Sequence, residues 1–484
     1  MKIVQVGGGT AGWLNALAMT SNIDNIDFTI IENEEPISVG EATFINLISF
    51  HSFLDINEHD FMRECNSTFK FAVKFKDFHE KNHSHYHPFL FEAFYEDFLD
   101  ENKIPDYGIL ASKYGYHLES NRYQKFLKNN IPINYTHIKD TVTQVKINDN
   151  GIEYIKLENS ETPIYADLFI DCTGFKHKLI KELGANWISI NNALPNNTAI
   201  VHRRNYGNNI IKEMHPFTEA KGMNYGWMWT IPLWNKKSHG YVFSDAYTSV
   251  NDAELEFRQN LKLKDNDECR IVKFKNGHLD KPWIKNCVAI GLSSSFVEPL
   301  ESTGIALITE SIVNVIAALS KGYIKQVDRD KYAYIINRDV SRIKDFLTFH
   351  FIHTKREDTI YWKDWKYNKS VEDIKFYNLV TSKKIKEGDI NRTDSLFFPD
   401  IGFEYISTKH HAHASNNYFM LKYYDSLAHF ENAKTGQMQI NPIEPRTSAL
   451  STFQKHLDEE HGIKDKLLTA EYHYDYVKKI HERV

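Results

Sequence analysis

The run Gly7-Gly8-Gly9-Thr10-Ala11-Gly12, entered directly from Lys2-Ile3-Val4-Gln5-Val6, constrains this chain more than any other feature. A short apolar strand, a glycine turn and then Trp13-Leu14-Asn15-Ala16-Leu17-Ala18 at helical spacing match G-x-G-x-x-G at the first crossover of a parallel α/β sheet. Gly7 permits the tight turn, Gly9 lets backbone N–H groups approach a pyrophosphate, and Gly12 lets the helix pack closely on the sheet. A second strand, Phe28-Thr29-Ile30-Ile31, ends at Glu32, where a carboxylate is expected to hold ribose hydroxyls. The alternative, a glycine turn without a ligand, lacks the flanking strand, helix and acid.

Two later segments read as further strands of the same sheet. Ala166 to Gly174 is an apolar run ending in Asp171-Cys172-Thr173-Gly174, and Cys287 to Leu292 ends at Ser293-Ser294-Ser295. The dinucleotide sheet is therefore assembled discontinuously. Residues about 132 to 165 read as hairpins beside it. A β-rich substrate sheet is expected at about 185–280, with Tyr225 to Ile231 and His239 to Tyr247 as central strands. The expected fold is α/β, with a Rossmann-type core over 1–365. A mostly helical part over 366–484 covers the substrate side, with helices at Ser448 to His456 and Lys464 to His481 after the turn Pro442-Ile443-Glu444-Pro445.

The chain has 484 residues, a net charge of −6 and ordinary hydrophobic content, which gives no electrostatic argument for nucleic acid or an anionic membrane. Four cysteines, Cys65, Cys172, Cys269 and Cys287, form no Cys-x-x-Cys and fit a reducing cytoplasm. The N-terminus enters its strand at once, leaving no room for a signal peptide. The apolar stretch Ile305 to Leu319 carries Thr309, Glu310, Ser311 and Asn314 and reads as a buried helix, not a membrane span. Histidines cluster at His79, His83, His85 and His87 and at His410, His411 and His413, but without cysteine or an acidic facial partner no metal site is expected.

Several motifs in order resemble the flavin-dependent halogenases of the tryptophan-halogenase type, nearly collinearly from Lys2 to about Trp365. Gly7 to Trp13 resembles that family's first flavin motif, Val39-Gly40-Glu41-Ala42-Thr43 its flavin strap, and Asp171 to Phe175 its second flavin motif. Trp227-Met228-Trp229-Thr230-Ile231-Pro232 resembles its W-x-W-x-I-P signature. Pro299-Leu300-Glu301-Ser302-Thr303-Gly304 resembles its P-L-E-S-T-G block, and Arg356-Glu357-Asp358-Thr359 with Trp362 also matches. The resemblance implies FAD held by Gly7, Gly9, Thr10, Ala11, Gly12, Glu32, Val39, Glu41, Ala42, Leu292 and Ile305.

By the same resemblance, FADH2 from a separate NAD(P)H-flavin reductase, with O2 and chloride, bromide or iodide, yields hypohalous acid. That oxidant travels to a lysine, which the match places at Lys74; a desolvated lysine has a lowered pKa and a usable nitrogen. Alternation along one strand puts Lys70, Lys74 and Lys76 on one side and cannot choose among them; Lys70 and Lys76 read as solvated charges. Glu301 is implied to stabilise the cationic ring and accept its proton, and Thr303 and Gly304 to bind halide at a helix entry. Trp227 and Trp229, with Ile231 and Pro232, are implied to crowd the channel so that the substrate stays off the flavin.

His87 and Phe89 are implied to stack on the substrate ring, and Tyr418 and Phe419, after Asn417, to lie where the family holds an amino-acid group. The stretch Phe89 to Tyr116 is short for a tryptophan halogenase, and the residues around Asn417 depart from its pattern. A more open pocket for indoles, phenols or a larger aromatic molecule follows. The C-terminal helices either cross the substrate face or form a subunit contact. The alternatives are an aromatic hydroxylase on the same scaffold, needing neither Lys74 nor halide, and a non-catalytic flavin-binding protein.

Overall fold

The computed structural model describes residues 1–33, 40–89, 95–105, 114–132, 135–367 and 470–482. Its first sheet has six strands in the order Trp283–Ile284, Cys287–Ala289, Leu168–Asp171, Lys2–Val6, Asp27–Glu32 and Thr136–Lys139. All neighbours run parallel except the outermost pair Trp283–Ile284 and Cys287–Ala289. Val4, Ile30, Phe169 and Val288 are fully buried, as a sheet covered on both faces requires. All three expected strand ends meet here. The hairpin expectation for 132–165 splits: Thr136–Lys139 joins this sheet, while Val142–Asn148, Gly151–Leu157 and Ser160–Ile164 form an antiparallel sheet of their own.

The helix after the first strand spans Thr10–Asn22, starting within the glycine motif. Gly7 has φ +110, and a Cβ there would meet the Cys172 carbonyl at 2.2 Å, so no side chain fits. Buried Gln5 ties the turn together. Its amide donates to the carbonyls of Gly7 and Gly12 and accepts from Asn15 at 2.7 Å, which leaves these groups paired inside the core.

A second sheet has seven strands: Arg270–Lys273, Thr198–Arg204, Lys237–Phe243, Gly226–Pro232, Phe217–Gly222, Ala72–Lys76 and Ser84–Pro88. It is larger than an insertion at 185–280 would be, because the hairpin formed by Ala72–Lys76 and Ser84–Pro88 adds to its edge. Phe217–Gly222 pairs parallel with Ala72–Lys76, and the other neighbours are antiparallel.

The segment expected to run as one strand through Lys70, Lys74 and Lys76 is two strands. Thr68–Lys70 pairs with Gly115–Glu119 in a small sheet that also holds Gly40–Ala42, and Ala72–Lys76 belongs to the seven-stranded sheet. The break falls at Phe71, whose N–H donates to Pro216 and whose carbonyl accepts from Phe89. Across that break, alternation no longer carries facing from Lys70 to Lys74.

Helices Gly304–Leu319 and Gln326–Ile352 pack between the sheets and contribute Ile312, Ile336, Phe346 and Leu347 to one continuous core. At the C-terminal end, Ala470–Tyr472 pairs with Lys103–Pro105, and the last helix is His473–Glu482, so the described part of the expected Lys464–His481 helix begins as a strand. The expected helix Ser448 to His456 and the turn at 442–445 lie outside the described residues.

Candidate active site

A cavity of about 410 Å³ opens where the glycine turn faces the seven-stranded sheet. Its lining brings together Gly9, Thr10 and Ala11 of the glycine turn, Glu41 and Ala42, Leu292 and Ile305, and Trp229 and Ile231. Apart from Trp229 and Ile231, which were expected along the channel, these are residues expected to hold a flavin. No atom lies within 4 Å of a Cβ placed on Gly9, so the turn is open towards the cavity, with the helix N-terminus behind it. Glu32 packs against Gly8 and accepts from His137 at 2.8 Å. Burial pushes the Glu41 carboxyl up to about 7, with a Thr10 hydrogen bond opposing it. Val39 lies outside the described residues. The residues present fit a dinucleotide.

Strand register divides the remaining candidates between two faces of the seven-stranded sheet. Lys74 pairs with Tyr86 and Glu219, whereas Val73 pairs with His87 and Phe75 with His85. Side chains alternate along a strand, so His87 and His85 share a face and Lys74 points the other way. There its ammonium is held by Tyr86 and Asp100, each at 2.8 Å, with 19% of the side chain exposed. This geometry corrects the choice of Lys74, because the lysine is ion-paired on the face opposite to Glu301.

Lys70 is the lysine that faces the site. It is fully buried, not a solvated charge; its ammonium donates to Ser302 Oγ at 2.8 Å and the Thr43 carbonyl at 3.3 Å, and lies 4.9 Å from the Phe89 ring centre. Burial pushes it down to about 7, and the charge of Glu301 partly opposes that shift. The immediate neighbours did not separate the two lysines, since Lys70 lies between Phe69 and Phe71 and Lys74 between Val73 and Phe75. Lys76 is exposed.

Glu301 is fully buried at the end of a single helical turn, Pro299–Glu301. Its Oε1 faces His87 Nδ1 at 2.9 Å and His350 Nε2 at 3.1 Å, while Oε2 has no hydrogen-bond partner among the described residues. Burial alone would raise this carboxyl; the two imidazoles outweigh it and hold the acid down at about 2. A buried anion with a free oxygen results. His350 was not singled out from the sequence, although a histidine set between Phe346, Phe349 and Phe351 in a buried helix was the available hint.

Ser302 turns the chain with φ +64, presenting Thr303 and then the helix Gly304–Leu319. Thr303 Oγ1 is buried with no hydrogen-bond partner among the described residues, and Ser302 and Gly304 line the cavity. An anion at this helix start would meet N–H groups and the positive end of the helix dipole. Trp227, Trp229 and Ile231 share a sheet face, with Trp229 and Ile231 at the cavity. Trp227 is buried behind them, donating to Glu298 Oε1 at 3.0 Å, and the Pro232 carbonyl accepts from Thr68 at 2.6 Å. Tyr418 and Phe419 lie outside the described residues.

The family model described as tryptophan halogenase matches residues 2–99 and 91–418. The chain belongs to the tryptophan-halogenase family. It is 31% identical over 422 residues to tryptophan 6-halogenase SttH of Streptomyces toxytricini, covering 75% of this chain and 80% of that one. The crystal structure of SttH superposes with a TM-score of 0.71 at 32% identity, over 75% and 81% of the two chains. BrvH, a flavin-dependent halogenase from Brevundimonas sp. BAL3, shares the fold along 99% of both chains, with a TM-score of 0.79 at 23% identity. The protein is accordingly an enzyme, a flavin-dependent halogenase with the α/β fold of that family. No helix among the described residues is long and apolar enough to cross a membrane.

Proposed function

We propose that this halogenase places an electrophilic halogen on an indole- or phenol-like ring, using the amine of Lys70 rather than that of Lys74. One observation carries the reading: Lys70, hydrogen-bonded to Ser302 beside Glu301, lies buried next to the Phe89 ring. The cofactor is FAD in its reduced form, delivered by a separate NAD(P)H-flavin reductase, and a cytoplasmic setting suits the free cysteines. When bound, the reduced flavin supplies the two-electron oxidation of halide by O2 that gives hypohalous acid.

The chain's own groups then divide the work. Thr303 and Gly304 hold halide at the helix start, next to the cavity wall. Trp229 and Ile231 line the cavity, and their bulk is assigned to keeping an aromatic ring away from the cofactor while a small acid passes. Lys70, with a pKa near 7, presents either a nitrogen that takes the halogen or an N–H that polarises hypohalous acid. Phe89 and His87 orient the ring, and Glu301 stabilises positive charge on it and takes the proton lost as the halogen is retained.

The test compares wild type, Lys70→Ala and Lys74→Ala with reductase, NADH, FAD and bromide on a panel of aromatic compounds, read by mass spectrometry. Wild type and Lys74→Ala brominate, whereas Lys70→Ala consumes NADH without product. Loss of bromination in Lys74→Ala alone would return the role to that residue. A hydroxylated product from wild type would favour the hydroxylase reading.

A further inference from the structure

Beyond Glu301, histidines continue towards the surface, and the chemistry above uses only the first of them. Glu301 Oε1 touches His87 at 2.9 Å and His350 at 3.1 Å. The His350 ring stacks on Phe75 with centres 4.4 Å apart, and His85 stacks on Phe75 at 5.1 Å. His85 and His87 are alternate residues on one face of a strand, roughly 7 Å apart along it. From His85 the ring centres step 5.8 Å to His83 and a further 5.7 Å to His79. His83 is half-buried, and its Nδ1 has no hydrogen-bond partner among the described residues. Among those residues no group of His, Cys, Asp or Glu is placed to hold a metal ion, so coordination does not account for the cluster.

We propose that His87, His85 and His83 form a proton path that carries the ring proton from Glu301 to solvent. The proposal rests on the reading of Glu301 as the acceptor of that proton. As the ring C–H bond breaks, its electron pair returns to the π system and the proton goes to the carboxylate. At rest His87 Nδ1–H donates to the Glu301 carboxylate. Once Glu301 carries the ring proton the acid is the donor, and His87 in its Nε2–H tautomer takes that proton on Nδ1 while Nε2 releases its own towards His85. His85 and then His83 repeat the exchange, and a single water hydrogen-bonded to both rings spans steps of this length. The exchange needs neutral imidazoles, each offering one donor and one acceptor. Burial and the neighbouring imidazoles hold His85 well below its ordinary range, which keeps it neutral. Glu301, held near 2, does not retain a proton for the next turnover.

The experiment uses the holoenzyme with reductase, bromide and indole as probe. His85→Phe keeps the stack on Phe75 and removes both nitrogens, and His85→Asn keeps polarity without the two-nitrogen exchange. Both variants are expected to lose about tenfold to a hundredfold in kcat with KM for indole unchanged, and added imidazole restores the rate. A wild-type kcat in either folded variant, or a loss that imidazole does not answer, would overturn the path. Absence of bromoindole from wild type would count against the halogenation reading on this substrate, not against the path. In that case the path is judged on the resting protein by ¹⁵N-histidine NMR. Replacing His85 should change the tautomer ratios of His83 and His87, and unchanged ratios would overturn it.

Discussion

The Lys70 ammonium donates to Ser302 Oγ across 2.8 Å, joining a strand of the small sheet to the left-handed turn that follows Glu301. The contact holds the lysine beside the acid while both stay out of water, and the cost of burial is visible in the lysine's lowered pKa. A charged group kept at such cost is typical of a site shaped for chemistry, not stability.

Replacing that lysine by an apolar residue of similar length therefore separates the two roles. Lys70→Met should abolish halogenation while stabilising the fold by about 1–4 kcal/mol at neutral pH, since a buried charge is exchanged for a packed thioether. The sign follows from linkage. The folded pKa near 7 lies below the ordinary 10.5, so the unfolded chain binds more protons between those values. The lysine's contribution to stability thus rises with pH from about 7 to 10.5. Denaturant melts of wild type and Lys70→Met across that interval should converge as pH increases, and a constant difference would refute the assignment.

Glu301 follows the same sign in a more acidic interval. Its pKa falls from 4.5 in the unfolded chain to about 2 in the fold, so its contribution is present above 4.5 and lost as pH drops towards 2. Glu301→Gln should remove that part of the acid unfolding profile. The same change should lower kcat by about 10²–10³-fold, the effect of deleting one preorganised charge from a dry site. Turnover and acid melts on the same protein read both effects, and an active Glu301→Gln would remove the residue from the chemistry.

Glu298, three residues earlier, is buried in a different state. Trp227 and Asn196 both donate to its Oε1, Oε2 has no hydrogen-bond partner among the described residues, and burial pushes the carboxyl up to about 7. The folded state therefore binds more protons than the unfolded one between 4.5 and 7, so this residue's contribution declines as pH rises through that interval. Glu298→Gln preserves the acceptor for Trp227 and cannot ionise. Its melting temperature should match wild type at low pH and exceed it above 7, whereas Glu298→Ala should lose about 1–3 kcal/mol at every pH by leaving the indole N–H unpaired.

Much of this architecture was legible before any coordinates. The glycine turn, the strand end at Asp171 and the Trp-x-Trp strand are local patterns, set by backbone sterics and period-two burial, and these elements fall where they were expected, whereas the strand expected over Cys287 to Leu292 stops at Ala289, before the turn that Gly291 makes with φ +70. Lys70 against Lys74 was not legible from alternation, because the break at Phe71 comes from strands contributed by residues 115–119 and 217–222, far away in the chain. His350 was hidden for a related reason. Its partner Glu301 lies on another element, and a histidine on a buried helix face looks the same whether it fills space or holds a carboxylate.

Gly240 lies under the Trp229 ring. A Cβ at this position would sit 2.0 Å from the ring carbon Cζ2, and closer than 2.5 Å to two more. Trp229 stands at the cavity wall, with Ile231 beside it, so a displaced indole has to move towards the space expected for the flavin or into the packed sheet face. Gly240→Ala is thus expected to weaken FAD binding by about tenfold, equivalent to ~1.4 kcal/mol, with little change in global stability. Flavin fluorescence titration gives the affinity and a urea melt gives the stability. Undiminished affinity would mean that the indole yields away from the cavity, and that Trp229 does not border the cofactor.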